Sequence, residues 1–161
     1  MEVYSIKNNS NQKNIISIYE CFEYNQKSEL LNGDNKNYCN ICKKFSDSIY
    51  TSNIFISPNI LIIILSWENV DVNNIKLKFS EKIDITKYVL KKDESKIYSL
   101  YGVITNINKD FLKANSISFC KSPIDNKWYK YQDRTVNPTK NTQKEVIEFG
   151  TPYILFYQKN N

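Results

Sequence analysis

Histidine is absent from this chain of 161 residues. It is the side chain that most often serves as a general base near neutral pH. Its absence excludes a Cys–His or Ser–His nucleophile pair formed within the chain, and it excludes two-histidine zinc sites. Glycine numbers only 3, and no Gly-rich nucleotide fingerprint is present. Arginine occurs once, as Arg134, so the net charge of +5 rests on lysine. A nucleic-acid or anionic-lipid surface calls for clustered basic residues, with arginine as the preferred reader of bases and phosphates. Here the lysines are scattered and accompany abundant Asn, Ile and Tyr, as an AT-rich coding sequence produces. The charge therefore carries no specific nucleic-acid signal. Long hydrophobic runs are also missing. The longest, residues 60–65, is far too short to span a bilayer, and the opening Met-Glu-Val-Tyr-Ser has no leader pattern. A soluble protein of the cytoplasm or nucleus, with reduced thiols and no membrane partner, is the expectation.

What is present is a core. Apolar residues make up 41% of the chain and aromatics 14%, with 12 Tyr and 8 Phe. This composition opposes disorder and favours strands. The length suits one domain. Spacing at Ile15, Ile18, Tyr19 and Phe22 predicts a helix over 14–24. Strands are predicted over 3–6, 48–56, 61–65, 75–79 and 97–107, a hairpin over 116–120 and 127–131, and a last strand over 152–158. Residues 84–90 have room for one helical turn, and 142–149 read as a short helix. Asn32-Gly33-Asp34-Asn35 is a turn cluster. The expected architecture is α+β: a single helix-poor domain, residues 1–161, around an antiparallel sheet.

Five segments, in order, resemble the C-terminal half of the ubiquitin-specific protease catalytic domain. The first runs through Ser28-Glu29-Leu30 and Gly33-Asp34-Asn35 to Tyr38-Cys39-Asn40-Ile41-Cys42. The second is Pro58-Asn59-Ile60-Leu61-Ile62-Ile63-Ile64-Leu65, the third Tyr98-Ser99-Leu100-Tyr101-Gly102-Val103-Ile104. The fourth spans Trp128-Tyr129-Lys130-Tyr131-Gln132-Asp133-Arg134-Thr135-Val136, and the fifth Pro152-Tyr153-Ile154-Leu155-Phe156-Tyr157. The resemblance implies the palm and part of the fingers of a hand-shaped, papain-like cysteine protease fold. It places the thumb, with the nucleophilic cysteine, outside this chain.

The same resemblance locates the missing imidazole. The family's Gly-His-Tyr-x-x-Tyr pattern reads here Ala114-Asn115-Ser116-Ile117-Ser118-Phe119, so Asn115 stands at the histidine position. An amide neither takes nor gives a proton at neutral pH. The acid position, four residues after Trp128, holds Gln132, with Asp133 as the adjacent acid. Tyr98, Ala114, Asn115 and Ser116 are the candidates for lining the channel that receives ubiquitin's tail. Ala114 in place of glycine narrows it. Trp67 stands where the family carries a basic pair, a change with no reason visible in the sequence.

Cys39 and Cys42 match one half of the family's finger-tip zinc ribbon. No resident cofactor is expected, and structural zinc is possible only if a second CxxC lies upstream, because a structural site wants four ligands. A vestigial thiol pair is the simpler reading. Cys21 and Cys120 sit in apolar patterns and read as core residues. Trp128, Tyr129, Tyr131, Tyr153, Phe156 and Tyr157 alternate along strands and read as core before binding surface.

Three functions are consistent with these residues. The first is a catalytically incompetent member of the family that binds ubiquitin or a ubiquitinated protein. The second is the C-terminal half of an active thiol-dependent hydrolase that takes residues from outside the chain. The third is a scaffold for other protein partners, in an RNA-processing or ubiquitin-pathway complex, without ubiquitin contact.

Overall fold

The computed structural model describes residues 2–5, 15–67, 75–91, 96–107, 116–139 and 142–160. In chain order the elements are β1 (Glu2–Ser5), β2 (Ile15–Ser17), α1 (Ile18–Asn25), β3 (Glu29–Leu31), β4 (Asn37–Cys39), β5 (Lys44–Ser46) and β6 (Ser48–Tyr50). Then come β7 (Ile60–Ser66), β8 (Lys76–Lys78), β9 (Lys82–Asp84), β10 (Ile97–Asn106), β11 (Ser116–Lys121), β12 (Trp128–Gln132), β13 (Thr135–Pro138), α2 (Thr142–Phe149) and β14 (Thr151–Lys159).

The main sheet runs β1-β7-β14-β10-β11-β12-β13, with β9 also paired to β10. All of its pairings are antiparallel except β1 on β7. The α+β architecture with an antiparallel sheet and few helices is therefore the observed one. The apolar run of β7 lies one strand in from the edge, between β1 and β14. Leu61, Ile63 and Leu65 point into the core, while Ile62 and Ile64 are half-buried on the other face.

β10 sits at the centre of the sheet. It pairs with β14 on one side and with β9 and then β11 on the other. Two irregularities interrupt its ladder with β14. Leu100 faces Tyr157 and Gly102 faces Phe156, so Tyr101 is an extra residue on β10. Ile104 faces Ile154 and Thr105 faces Pro152, so Tyr153 is an extra residue on β14. Each bulge shifts the alternation by one. That is why the buried side of β10 changes from Tyr98 and Leu100 to Val103 and Thr105. Packing at the first bulge is close: a Cβ on Gly102 would stand 3.3 Å from the Phe156 ring, so that ring would have to shift by a few tenths of an ångström.

The first helix begins later than its apolar spacing predicts. Residues 15–17 form β2, and Ser17 caps α1. Its hydroxyl accepts from the Glu20 N–H at 3.3 Å, and the Glu20 carboxylate accepts from the Ser17 N–H at 2.8 Å. This capping box sets the boundary more sharply than periodicity does. α1 buries Ile18, Cys21 and Phe22. Phe22 stacks on Tyr88 with ring centroids 5.0 Å apart, and the Gln26 amide donates to the Tyr88 carbonyl at 2.7 Å. Tyr88 closes the single turn of 3-10 helix, Thr86–Tyr88, expected in this region.

The strand predicted over 48–56 ends early, at Tyr50. Its first residues belong to an arm. β3 pairs with β6, and β4 with β5 inside them, as nested hairpins. The arm is thin, and Leu30, Tyr38, Ile41, Phe45, Ile49 and Tyr50 are all exposed. Alternation of aromatics along strands overstated burial elsewhere too. Trp128 and Tyr157 are in the core, Tyr129, Tyr153 and Phe156 are half-buried, and Tyr131 is exposed.

Core and arm differ sharply in what they contribute to stability. Ile63 is 0% exposed and Ile41 is 94% exposed. Ile63→Ala should cost about 2–5 kcal/mol in chemical denaturation, whereas Ile41→Ala should stay within about 0.5 kcal/mol of the parent.

Candidate functional site

One end of the main sheet brings together three of the predicted site residues, Ser116, Gln132 and Asp133. β10 ends there at Asn106, β11 starts at Ser116, and β14 starts at Thr151. Asn106 lies opposite both Ser116 and Thr151. β12 ends at the same edge, since Ser118 faces Tyr131 and the chain continues to Gln132.

Three contacts lock this end. Gly150 adopts φ +155°, and a Cβ there would collide with the Asn106 carbonyl oxygen. The strand therefore crosses Asn106 at a distance that only glycine allows. The Trp67 indole N–H donates to the Pro152 carbonyl at 2.8 Å, in the core. Trp67 thereby ties the end of β7 to the start of β14 through a buried hydrogen bond. The Thr105 hydroxyl donates to the Ile117 carbonyl at 3.3 Å.

Ser116 is exposed, and its hydroxyl lies 3.4 Å from the hydroxyl of Tyr153, the residue extruded by the second bulge. Sequence alternation assigned Tyr153 to packing. Its place beside Ser116 depends on the bulge, which no local pattern announces. Gln132 is half-buried at the end of β12. Asp133 follows at the tip of a two-residue turn, with φ +50°, and the Thr135 hydroxyl closes that turn on the Gln132 carbonyl at 2.8 Å. Ala114 and Asn115 lie outside the described residues. Tyr98 does not belong to this end. It sits near the start of β10, 0% exposed, and its hydroxyl donates to the Pro58 carbonyl. Tyr98, expected among the channel-lining candidates, is here a core residue bridging β10 to the segment before β7. Among the described residues, hydroxyls and amides meet here beside the carboxylate of Asp133; the hydroxyls and amides donate and accept hydrogen bonds but take no proton near neutral pH.

The thiols divide into two kinds. Cys39 and Cys42 bracket the turn between β4 and β5, closed by the Lys43 N–H donating to the Cys39 carbonyl at 2.8 Å, with Lys43 at φ +54°. The Cys42 thiol and the backbone N–H groups of Cys42 and Ile41 point at the Cys39 sulfur and lower its pKa; the same contact raises that of Cys42. Backbone donors around a sulfur also suit a metal thiolate. The donor count does not. Two thiolates are half of what a structural zinc site needs, and among the described residues no three of His, Cys, Asp or Glu stand close enough to hold a metal. The residues present thus do not make a closed zinc site. Cys21 is buried on α1, and desolvation pushes its thiol up to about 12. Cys120 is only half-buried on β11, with its pKa raised by the same cause.

A sequence model of the family described as ubiquitin carboxyl-terminal hydrolase matches residues 3–157. The chain belongs to the ubiquitin carboxyl-terminal hydrolase family. Curated relatives include ubiquitin carboxyl-terminal hydrolase 16 of Arabidopsis thaliana, 30% identical over 138 residues that make up 83% of this chain and 13% of that protein. Hydrolase 17 of the same plant is 26% identical, across 83% of this chain and 19% of the relative. Hydrolase 12 of Saccharomyces cerevisiae is 28% identical, across 98% of this chain and again 13% of the relative. The chain thus spans less than a fifth of the length of these three.

Among solved structures, a yeast SAGA DUB module with one variant subunit aligns at 23% identity and a TM-score of 0.73, and the SAGA DUB module bound to ubiquitin aldehyde at 24% and 0.71. In each case the match covers 99% of this chain and 35% of the other. At this identity the likeness establishes the fold: the sheet, the helices and the arm of a deubiquitinase domain. Among the described residues, no helix is long and apolar enough to cross a membrane.

Two outcomes follow for the family's site in this chain. Gly150→Ala should cost more than about 1 kcal/mol, because the strained φ and the clash with Asn106 add; thermal unfolding measures it. In mildly alkaline buffer, mass-mapped alkylation should label Cys39 faster than Cys42 or Cys120, and Cys21 last, since the thiolate is the reactive form.

Proposed function

We propose that this chain is the palm-and-fingers segment of a ubiquitin-specific protease domain and is catalytically incompetent as it stands, acting by binding ubiquitin or a ubiquitinated protein. The observation that carries the reading is the absence of histidine from all 161 residues. A thiol hydrolase needs a base to make the thiolate and an acid to protonate the leaving amine, and one imidazole does both. The family's histidine position falls on Asn115 and its acid position on Gln132. Neither side chain exchanges a proton near neutral pH.

Two further observations support the segment reading. The solved relatives are covered over only 35% of their length. The arm leaves six large apolar side chains exposed, including Ile49 at 71% and Phe45 at 66%. A two-layer arm would cover them, and the rest of a deubiquitinase domain is the natural source of the second layer. The thumb and its nucleophilic cysteine then come from outside this chain, as do the two thiols that would complete a zinc site with Cys39 and Cys42.

Two measurements test this. Incubation with a ubiquitin bearing a C-terminal electrophile should give no covalent adduct with the natural full-length protein; an adduct overturns the incompetence. Titration of labelled ubiquitin should shift resonances, and their absence at millimolar protein would remove the ubiquitin-binding part of the reading.

A further inference from the structure

The far end of β10 carries a different feature. β9 pairs with β10 only as far as Ser99, opposite Lys82, and β11 pairs with it only from Gly102, opposite Cys120. On that edge the Leu100 N–H reaches the Glu81 carbonyl at 2.7 Å, which leaves Tyr101 in the gap between two strands. Tyr101 is also the bulged residue that the β14 ladder skips. A groove of about 430 Å³ opens here, lined by Ser99, Lys121, Ser122, Asn126, Lys159 and Asn160 among others. The strands carry about 3.3 Å per residue, so it lies roughly 17 Å along β11 from Ser116.

Its lining favours cationic side chains over anionic ones. Among the described residues, two lysines line it and no Asp or Glu does. Across the gap both Lys82, on the strand beside Ser99, and Glu81, whose carbonyl accepts from the Leu100 N–H, border it. The remaining polar lining is neutral: Ser99 donates its hydroxyl to the Asn160 amide oxygen at 2.8 Å, which orients the amide. The carboxylate on the bordering turn, Asp125, is held within that turn. It accepts from the Tyr129 hydroxyl at 2.7 Å and from the Lys127 N–H at 3.2 Å, and the Tyr129 contact keeps its pKa low.

The bordering turn is stiff. Ser122 N–H donates to the Lys127 carbonyl at 2.8 Å and Asn126 N–H to the Ser122 carbonyl at 3.0 Å, with Asn126 at φ +57°. At its tip Ile124 is 94% exposed. A rigid apolar knob beside a cationic groove is a poor site for a free inorganic anion alone and a good one for a chain that offers both kinds of contact.

We propose that this groove is a docking site for an acidic polypeptide segment of a protein partner, with carboxylates against Lys121 and Lys159 and an apolar side chain against Ile124. The site is separate from the end of the sheet at Asn106 and Ser116. It stands whether or not the chain binds ubiquitin.

The test uses the full chain and a fluorescein-labelled peptide alternating Glu and Leu, with a matched peptide carrying Gln for every Glu. Anisotropy should report binding of the Glu peptide only, weakened in high salt. Amide resonance shifts should centre on Ser99, Lys121 and Asn126. Lys121→Glu should weaken binding by roughly threefold to fivefold or more. Lys121→Gln serves if the glutamate variant loses its fold by circular dichroism, and Lys87→Gln, remote from the groove, should change nothing. Equal binding by the Lys121 variants, equal binding of the Gln peptide, shifts centred elsewhere, or no binding at millimolar peptide overturns the proposal. So does inorganic phosphate that reproduces the shifts and displaces the peptide at equal concentration, since the groove would then be a simple anion site.

Discussion

The structure depends on β10 being paired along both edges. A ten-residue strand that exchanges hydrogen bonds with β14 on one side and with β9 and β11 on the other cannot slide, because a one-residue slip would turn Val103 and Leu100 out of the core. Every other part of the sheet takes its register from it. The two bulges are where that constraint is relaxed in a controlled way. Each extrudes one tyrosine: Tyr153 beside Ser116, and Tyr101 at the gap between β9 and β11. A bulge re-aims a side chain without breaking the ladder on either side of it.

The two ends of the sheet differ in electrostatic character. Among the described residues, the end at Asn106 and Ser116 carries hydroxyls and amides beside Asp133 and is locked by Gly150 and Trp67. At the opposite end two lysines, Lys121 and Lys159, line the groove. The burial of Trp67, with its N–H on the Pro152 carbonyl, shows that the Asn106 end is packed around an uncharged hydrogen bond.

The arm makes the complementary point about stability. The core buries Ile63, Leu155, Tyr157 and Val146 completely, and these carry the fold. The nested hairpins carry little apolar burial of their own. They rest on local contacts such as the edge-on Tyr38–Phe45 pair at 5.3 Å and the exposed Lys36–Asp47 ion pair at 3.2 Å, and an exposed pair of this kind stabilises by at most about 1 kcal/mol.

Much of this was legible in the residues. Alternation marked β8, β11, β12 and β14, and continuous apolarity marked β7, because side chains repeat every second residue on a pleated strand. The helix at 142–149 and the turn of helix before Tyr88 were legible for similar local reasons. Absence of histidine was a property of composition, and no fold could alter it. The rest was decided by contacts between residues far apart in the chain. The start of α1 was set by a capping box that competes with periodicity. Tyr98 was placed in the core by a bond to Pro58, and Trp67 was tied to β14 by one to Pro152. The burial phase of β10, the exposure of the arm and the gap beside Lys121 all follow from bulges and strand ends. The sequence by itself determined which residues are able to do chemistry and which faces are apolar, since those are properties of side chains and their spacing. Only the tertiary structure decided which of them meet, because register and bulges are settled by pairing partners, and a partner strand is invisible to any local window of sequence.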